Sequence, residues 1–203
     1  MSATISLVIS SFALLLSALT AWLTLLRRGT VKMTRPTVIY FGPDGGFKDK
    51  APLKVYFRCL LYATSKRGCV IESMYVRLKR GETTQNFNIW VYGEKQLSRG
   101  SGLFVPESGT AYNHHFLLPA DGTNFQFLPG KYSVEVLAQL VGKATHVVLH
   151  AVNLEVSPEE ARSITRPGQG LYFDWGPDAG KYYGHIKPES NSEIPIMLDD
   201  MIR

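Results

Sequence analysis

A 22-residue stretch without a charged side chain, residues 5–26, is the feature that most limits what this 203-residue chain can fold into. A helix of about 20 residues crosses the ~30 Å hydrocarbon layer of a bilayer, so this stretch is long enough to span a membrane. Its serines and threonines are tolerable there because their hydroxyls can hydrogen-bond back to the helix backbone. We therefore predict a transmembrane helix over residues 5–26, preceded by a short N-terminus of residues 1–4.

A basic linker, residues 27–36, follows the apolar stretch. The side chains expected to flank the membrane are Trp22, Arg27, Arg28, Lys32 and Arg35. Positive flanks stay in the cytoplasm, which places the N-terminus outside and the folded domain inside, at the inner cell membrane of a bacterial-type, single-pass protein. A cleaved signal peptide is disfavoured because residues 1–4 carry no Lys or Arg and the apolar core is long. A soluble core helix is disfavoured because every face is apolar.

Positive charge is concentrated in the linker rather than spread over the chain. Residues 1–36 hold four basic side chains and no acid, whereas the rest of the chain is nearly neutral. A nucleic-acid binder would carry a basic face over its folded domain, so we expect no nucleic-acid partner. The two cysteines, Cys59 and Cys69, exclude a disulfide-rich scaffold and offer no zinc spacing. No cofactor is implied.

Short β-prone runs separated by turn residues fill residues 37–156. Gly, Pro, Asn and Asp turns at such spacing are typical of a sandwich or a barrel. The runs predicted as strands are 37–41, 53–63, 69–79, 85–92, 103–105, 111–118, 125–127, 132–141 and 145–156. We predict an all-β fold, a single immunoglobulin-like or jelly-roll-like β-sandwich of about eight or nine strands, with a small closed β-barrel as the alternative.

Residues 127–136, FLPGKYSVEV, resemble the turn and penultimate strand of immunoglobulin-like sandwiches. The resemblance implies architecture and no function. Residues 157–203 form the last segment. It opens with a helix start, because Ser157 can cap, Pro158 suits the first helical position and Glu160 completes a capping box. Residues 167–203 are rich in Gly, Pro and aromatic side chains, and we expect an irregular extension that packs on the sandwich or on a partner.

Two groups of side chains in the domain are candidate contact surfaces. The first is the aromatic set Tyr172, Phe173, Trp175, Tyr182 and Tyr183. These rings could stack on a sugar or a partner side chain, or cover an open edge of the sandwich. The second is the basic set Lys66, Arg67 and Arg80, which could meet anionic lipid headgroups or face solvent.

Four histidines are the candidates for metal chemistry. His114 and His115 are adjacent and so face opposite sides of a strand. His146 and His150 share a face but lie about 13 Å apart along it, too far to bind one metal directly. A metal-dependent hydrolase built on these four is kept as an alternative, and no catalytic or metal-binding residue is assigned.

Small residues four apart, Ala13, Ser17 and Ala21, could let two membrane helices pack as a homodimer. Taken together, these patterns favour a non-catalytic interaction or scaffold module at the membrane, with a protein partner. The first alternative is a module that binds a lipid headgroup or a saccharide. The second is the metal-dependent hydrolase.

Overall fold

The N-terminal segment is one continuous helix. The computed structural model describes residues 2–27, 29–45, 51–94, 96–100, 102–119, 124–166 and 168–188. Helix α1, Ser2–Ala21, continues into a π-helical turn, Trp22–Leu26, in which the Arg27 N–H donates to the Trp22 carbonyl at 2.8 Å. The part Ala3–Leu26 is long and apolar enough to cross a membrane, and none of it is buried against the rest of the chain.

Four hydroxyl groups along this helix are satisfied by its own backbone. Each donates to the carbonyl four residues earlier, at 2.7–2.9 Å, and the donors are Ser10, Ser17, Thr20 and Thr24. A hydroxyl bonded in this way needs no water, so these side chains do not oppose an apolar surrounding.

Two antiparallel sheets form the rest of the molecule. The larger sheet contains β1 (Val31–Met33), β2 (Val38–Pro43), β3 (Leu53–Ala63), β6 (Ile89–Gly93), β7 (Leu97–Arg99), β9 (Thr110–Leu117), β12 (Gln169–Gly176) and β13 (Lys181–Pro188). The smaller sheet contains β4 (Cys69–Arg80), β5 (Thr83–Phe87), β8 (Leu103–Val105), β10 (Gly130–Leu140) and β11 (Val147–Val156).

The strand order determines which edges are open. In the larger sheet it is β13-β12-β2-β3-β9-β6-β7, with β1 beside the end of β3; in the smaller it is β11-β10-β4-β5, with β8 beside the start of β4. Neither sheet closes on itself within the described residues, so the predicted sandwich is confirmed over the barrel. Both β13 and β11 are edge strands.

A hydrophobic core lies between the inner faces of the two sheets. Phe41 illustrates its packing, because its ring stacks on Phe127 at 5.0 Å and meets Phe173 edge-on at 5.2 Å. In β10 the buried positions are Tyr132, Val134, Val136, Ala138 and Leu140, the alternation that the sequence predicts, with Leu137 also buried at a bulge. Alternation of this kind is expected where one strand face meets the core.

Two strand predictions in the middle of the chain are wrong. The single strand expected at 85–92 is two strands, because the chain leaves the smaller sheet after Phe87 and enters the larger sheet at Ile89. The run 125–127 is a loop whose aromatic rings fill the core rather than a strand. A buried aromatic run satisfies the same sequence pattern in either conformation.

The prediction that residues 167–203 are irregular is wrong for two stretches of this segment. Gln169–Gly176 and Lys181–Pro188 form a regular hairpin, β12–β13. Strand β12 pairs with β2, and Leu171 and Phe173 are buried in the core. Tyr40 lies against this hairpin, since a Cβ on Gly170 would be 2.1 Å from the Tyr40 ring. Glycine is required there to let the ring approach. Residues 189–203 lie outside the described residues.

The short helix before the hairpin begins as the sequence predicts. Helix α2, Pro158–Ile164, has a complete capping box: the Ser157 N–H donates to the Glu160 carboxylate at 2.7 Å, and the Glu160 N–H donates to the Ser157 hydroxyl at 3.2 Å. Ala161 and Ile164 are the buried side chains of this helix.

The linker from helix to sandwich is part of the fold. Strand β1 lies within it and pairs with the end of β3, and the Thr30 N–H donates to the Thr64 hydroxyl at 2.9 Å. Gly29 passes so close to the Ser65 side chain that a Cβ would lie 2.6 Å from its hydroxyl oxygen. Only residues 27–30 separate the last helical turn from β1. We call the end of the sandwich that carries the β3–β4 turn, residues 64–68, the helix-proximal end.

Candidate functional site

A cleft of about 740 Å³ lies beside the open edges of the two sheets. The β12–β13 hairpin contributes Phe173, Trp175, Lys181 and Tyr182 to its lining. The smaller sheet contributes Lys79, Lys131, Tyr132, Ser133 and residues 152–155. The volume is within the range of ordinary ligand-binding clefts, roughly 300–1,000 Å³.

The backbone edge of β11 faces this cleft. Four consecutive residues of β11, 152–155, line it. Successive side chains of a strand point to opposite faces, so a cleft that touches four in a row runs along the strand's edge. Within the described residues β11 pairs only with β10, so no strand is hydrogen-bonded to its other edge, although β1 and β13 pass close to it.

The hairpin wall of the cleft is fixed to the linker by two aromatic contacts. The Arg35 guanidinium lies 3.9 Å above the Trp175 ring, and the Tyr182 hydroxyl donates to the Pro36 carbonyl at 2.6 Å. The backbone N–H of Trp175 also donates to the Thr37 carbonyl at 2.8 Å. Burial raises the pKa of Tyr182 to about 12, an effect that the Arg35 charge partly offsets, so the phenol remains a donor at neutral pH.

Three of the five aromatic candidates lie at the cleft. Trp175 and Tyr182 are half-buried in its wall, and Phe173 is buried beneath them against Phe41. The other two are on the opposite face of the hairpin, as strand alternation requires. Tyr172 packs edge-on against Tyr40 at 4.9 Å, and Tyr183 is exposed below the Lys181 ammonium.

Lysines give the cleft an excess of positive charge. Lys79, Lys131 and Lys181 line it, with Glu155 as the acid among its lining residues. Lys79 is partly neutralised by Glu135, whose carboxylate lies 3.3 Å away on the neighbouring strand. Lys131 is exposed and lies opposite Glu155 on the neighbouring strand. Lys181 is also exposed, but its ammonium lies over the Tyr183 ring, on the hairpin face away from Trp175.

The basic set Lys66, Arg67 and Arg80 is not brought together. Lys66 and Arg67 are exposed in the β3–β4 turn at the helix-proximal end. Arg80 ends β4, 12 residues long, and therefore lies about 36 Å away at ~3.3 Å per residue. One flat surface at the helix-proximal end can meet the first two and not the third.

The membrane-flank residues fall in different environments. Trp22 and Arg27 are exposed at the end of the helix, and Lys32 is exposed in β1. Arg35 belongs instead to the domain, where it covers Trp175. Arg28 lies outside the described residues.

The four histidines are spread over different surroundings. His114 is buried in the core, where its Nδ1 accepts from the Trp90 indole at 3.2 Å, and His115 is buried on the opposite face beside Tyr56. Burial lowers the pKa of each to about 3, with Lys54 and then His114 adding to the effect at His115. His146 packs edge-on against Tyr75. Burial, together with the Arg35 charge, lowers the pKa of His150.

The positions of the four histidines do not support the alternative of a metal-dependent hydrolase. Among the residues that the structure describes, no group of three or more His, Cys, Asp or Glu side chains is close enough to hold a metal ion. The Nε2 of His114 is buried with no hydrogen-bond partner in this part of the chain, surrounded by the rings of Phe57, Trp90 and Phe116.

The structure contains a buried ion pair that the sequence did not predict. The Lys54 ammonium lies 3.0 Å from the Asp44 carboxylate, with both side chains almost fully buried. The Asp44 N–H donates to the Pro52 carbonyl at 2.8 Å, so the pair holds the end of β2 to the start of β3. The Gly-Pro-Asp sequence at 42–44 marks a turn but carries no sign that its carboxylate is paired.

Both cysteines are free thiols in different sheets, Cys59 in β3 and Cys69 in β4. Burial raises the pKa of Cys59 to about 12 and also raises that of Cys69, which the nearby Lys143 partly offsets. Neither is therefore an activated nucleophile.

No family model matches the chain, and no curated protein or solved structure matches it either. The function is therefore argued from the cleft, the helix and the surfaces of the domain.

Proposed function

We propose that this chain is a single-pass membrane protein whose sandwich acts as a non-catalytic binding module. Its cleft takes an extended, acidic segment of a partner protein alongside strand β11. The observation that carries this proposal is the unpaired edge of β11 in a cleft lined by aromatic and lysine side chains.

The edge of β11 supplies the main-chain part of recognition. A row of unpaired N–H and C=O groups is a template for another strand, and many binding modules take an extended peptide as an added strand. Residues 152–155 present that row to the cleft. A peptide in this position gains backbone hydrogen bonds whatever its sequence.

Side chains of the cleft supply the selectivity. Lys131 is exposed and favours carboxylates on the partner. Trp175 and Tyr182 add large, rigid apolar surfaces held in place by Arg35 and Pro36, and aromatic side chains of this kind are enriched at binding hot spots.

Helix α1 supports membrane anchoring. Its length, its lack of charge and its self-satisfied hydroxyls suit a bilayer. Basic residues follow the helix directly, whereas residues 1–4 carry none, which favours a cytoplasmic domain at the inner cell membrane. On this view Ala13, Ser17 and Ala21, four apart on an exposed helix, are the place where two copies would pack.

Photocrosslinking tests the cleft as the partner site. A benzoylphenylalanine placed at Asn153, exposed in the cleft, is compared with one at Glu72, exposed in the same sheet outside it. We expect a discrete protein adduct at Asn153 that is lost in the Lys131→Glu variant. Equal adducts from Glu72, or an Asn153 adduct that survives the charge reversal, would contradict the proposal.

Topology is tested separately by reporters fused after Arg203. A reporter active only in the cytoplasm is expected to give signal, and one active only outside the cell is expected to give none. The opposite pattern would overturn the orientation while leaving the cleft's binding role open to the crosslinking test.

A further inference from the structure

We propose that the helix-proximal end of the sandwich rests on the anionic lipid surface of the membrane that holds the anchor. The contact is made by an apolar patch, Val70, Phe104 and Val141, together with the basic side chains Lys66, Arg67 and Lys143 beside it. The inference rests on the membrane anchoring proposed above and goes beyond it, because anchoring alone would let the domain hang free of the lipid.

The short connection keeps this end of the domain at the bilayer. Residues 27–30 are all that separate the last helical turn from β1, and Gly29 and Thr30 are already packed on Ser65 and Thr64. The neighbouring β3–β4 turn therefore lies within a few residues of the point at which the helix leaves the membrane. A tether this short raises the local concentration of that turn at the lipid surface.

The patch is a contiguous apolar surface on the outer face of the smaller sheet. Val70 and Phe104 are direct partners across β4 and β8, and the Val141 N–H donates to the Val70 carbonyl at 3.0 Å. Their exposed fractions are 40%, 58% and 61%. Three neighbouring apolar side chains this exposed indicate a contact surface rather than scattered surface residues.

Basic side chains adjoin this patch directly. The Phe104 ring lies over the β3–β4 turn, since a Cβ on Gly68 would be 2.6 Å from it, and that turn carries the exposed Lys66 and Arg67. Lys143 is exposed two residues after Val141, near enough to Cys69 that its charge partly offsets the rise that burial causes in the thiol pKa.

The charge at this end of the domain is positive overall. Arg27 and Lys32 are exposed in the linker and add to the three basic residues of the patch. The acids exposed nearby are Glu72 and Glu107, so basic groups outnumber them. Exposed apolar side chains ringed by basic ones match an anionic bilayer, where the apolar groups enter the headgroup boundary and the cations meet the lipid charge.

Quenching by brominated lipids tests the contact in the full-length chain. The chain is placed in phosphatidylcholine nanodiscs with or without phosphatidylglycerol, using lipids brominated near the headgroup end of the acyl chains. In a Trp22→Phe background, which retains Trp90 and Trp175, Phe104→Trp places an indole in the patch, and its emission is obtained as the difference from that background. Leu128→Trp places one at an exposed site beyond the opposite end of β10, as the matched control.

We expect the Phe104→Trp emission to be quenched and shifted to the blue in the anionic nanodiscs, and the Leu128→Trp emission to be unaffected. Combining Lys66→Glu, Arg67→Glu and Lys143→Glu should abolish the quenching, as should high salt, because surface charges are screened. Quenching of Phe104→Trp no greater than that of Leu128→Trp would overturn the proposal. Quenching of Phe104→Trp that is the same with and without phosphatidylglycerol, and the same after the charge reversal, would also overturn the proposal.

Failure of the anchor is distinguishable from failure of the docking surface. Comparing the unchanged chain with its Trp22→Phe variant isolates the quenching of Trp22, which reports insertion of the helix itself. If the emission of Trp22 is quenched and that of Phe104→Trp is not, the helix is anchored in the membrane and the domain does not touch the lipid. Trp22 unquenched overturns both proposals together.

Discussion

The guanidinium carbon of Arg35 lies 3.9 Å above the centroid of the Trp175 ring, which joins the linker behind the helix to the C-terminal hairpin. The Tyr182 hydroxyl reinforces this junction by donating to the Pro36 carbonyl. Because β1 is fixed to β3 in the same linker, the hairpin wall of the cleft is held at a set position relative to the linker that follows the helix.

Replacing Arg35 and Trp175 singly and together with Ala measures that junction. Cation–π pairs at exposed sites contribute about 0.5–1 kcal/mol, so we expect a coupling energy of that size in the free energy of unfolding, measured by urea denaturation in detergent. Lys32→Ala, a change at an exposed basic residue of β1, is the control and should show no coupling to Trp175→Ala. Equal coupling for Lys32 would mean that the Arg35 contact contributes nothing specific.

Gly170→Ala should destabilise the domain by about 2 kcal/mol, in the range typical of overpacking. The added Cβ would lie 2.1 Å from the ring of Tyr40, which is fully buried and cannot move aside. Gly184→Ala in the neighbouring strand is the matched control. Its Cβ would lie 2.5 Å from the Glu160 carboxylate, which can move aside at the cost of its capping hydrogen bond to Ser157, about 1 kcal/mol, so a smaller loss is expected. Thermal unfolding of both variants measures the loss of stability, and an equal loss in the two would refute the role assigned to Tyr40.

Thiol labelling should distinguish the two cysteines. Cys59 is buried with its pKa raised to about 12, whereas Cys69 is half-buried. A maleimide should therefore label one thiol in the folded protein and both in denaturant. Cys69→Ser should remove the native label, and Cys59→Ser should leave it. Rapid labelling of Cys59 in the folded chain would be evidence against its burial.

Acid should destabilise the fold through His114 and His115. Burial lowers the pKa of both to about 3, and the unfolded histidine titrates near pH 6.5. Below about pH 6.5 these two histidines bind protons in the unfolded chain and remain neutral in the folded chain. Each histidine then lowers the free energy of unfolding by about 1.4 kcal/mol per pH unit as the pH falls towards 3.

Substitution separates this effect from general acid sensitivity. His115→Gln should lose less stability between about pH 7 and pH 5 than the unchanged chain, since one proton-linked group is gone. Asn153→Gln, a change at an exposed position without a titratable side chain, should leave the pH dependence unaltered. Urea midpoints across the pH range provide the measurement, and identical slopes for all three chains would contradict the burial argument.

Local sequence signals predicted several elements well because their determinants are neighbours in the chain. Residues 53–63 and 103–105 were expected as strands and are β3 and β8. Ser157, Pro158 and Glu160 specify the start of α2 through contacts within three residues. The hairpin was missed because its glycines and aromatic residues suggest irregular structure. Only pairing of β12 with β2, more than 120 positions earlier in the chain, reveals their alternation.

The sequence by itself determined the apolar helix, the antiparallel β-rich domain and the capped turn of α2, since each follows from charge, spacing or hydrogen bonds within a short segment. The tertiary structure alone decided that Arg35 covers Trp175, that residues 152–155 of β11 line a cleft, and that Arg80 lies far from Lys66 and Arg67. These relationships depend on strand order and register across the two sheets. Strand order and register are decided by which distant apolar faces pack together, a choice that no local pattern encodes.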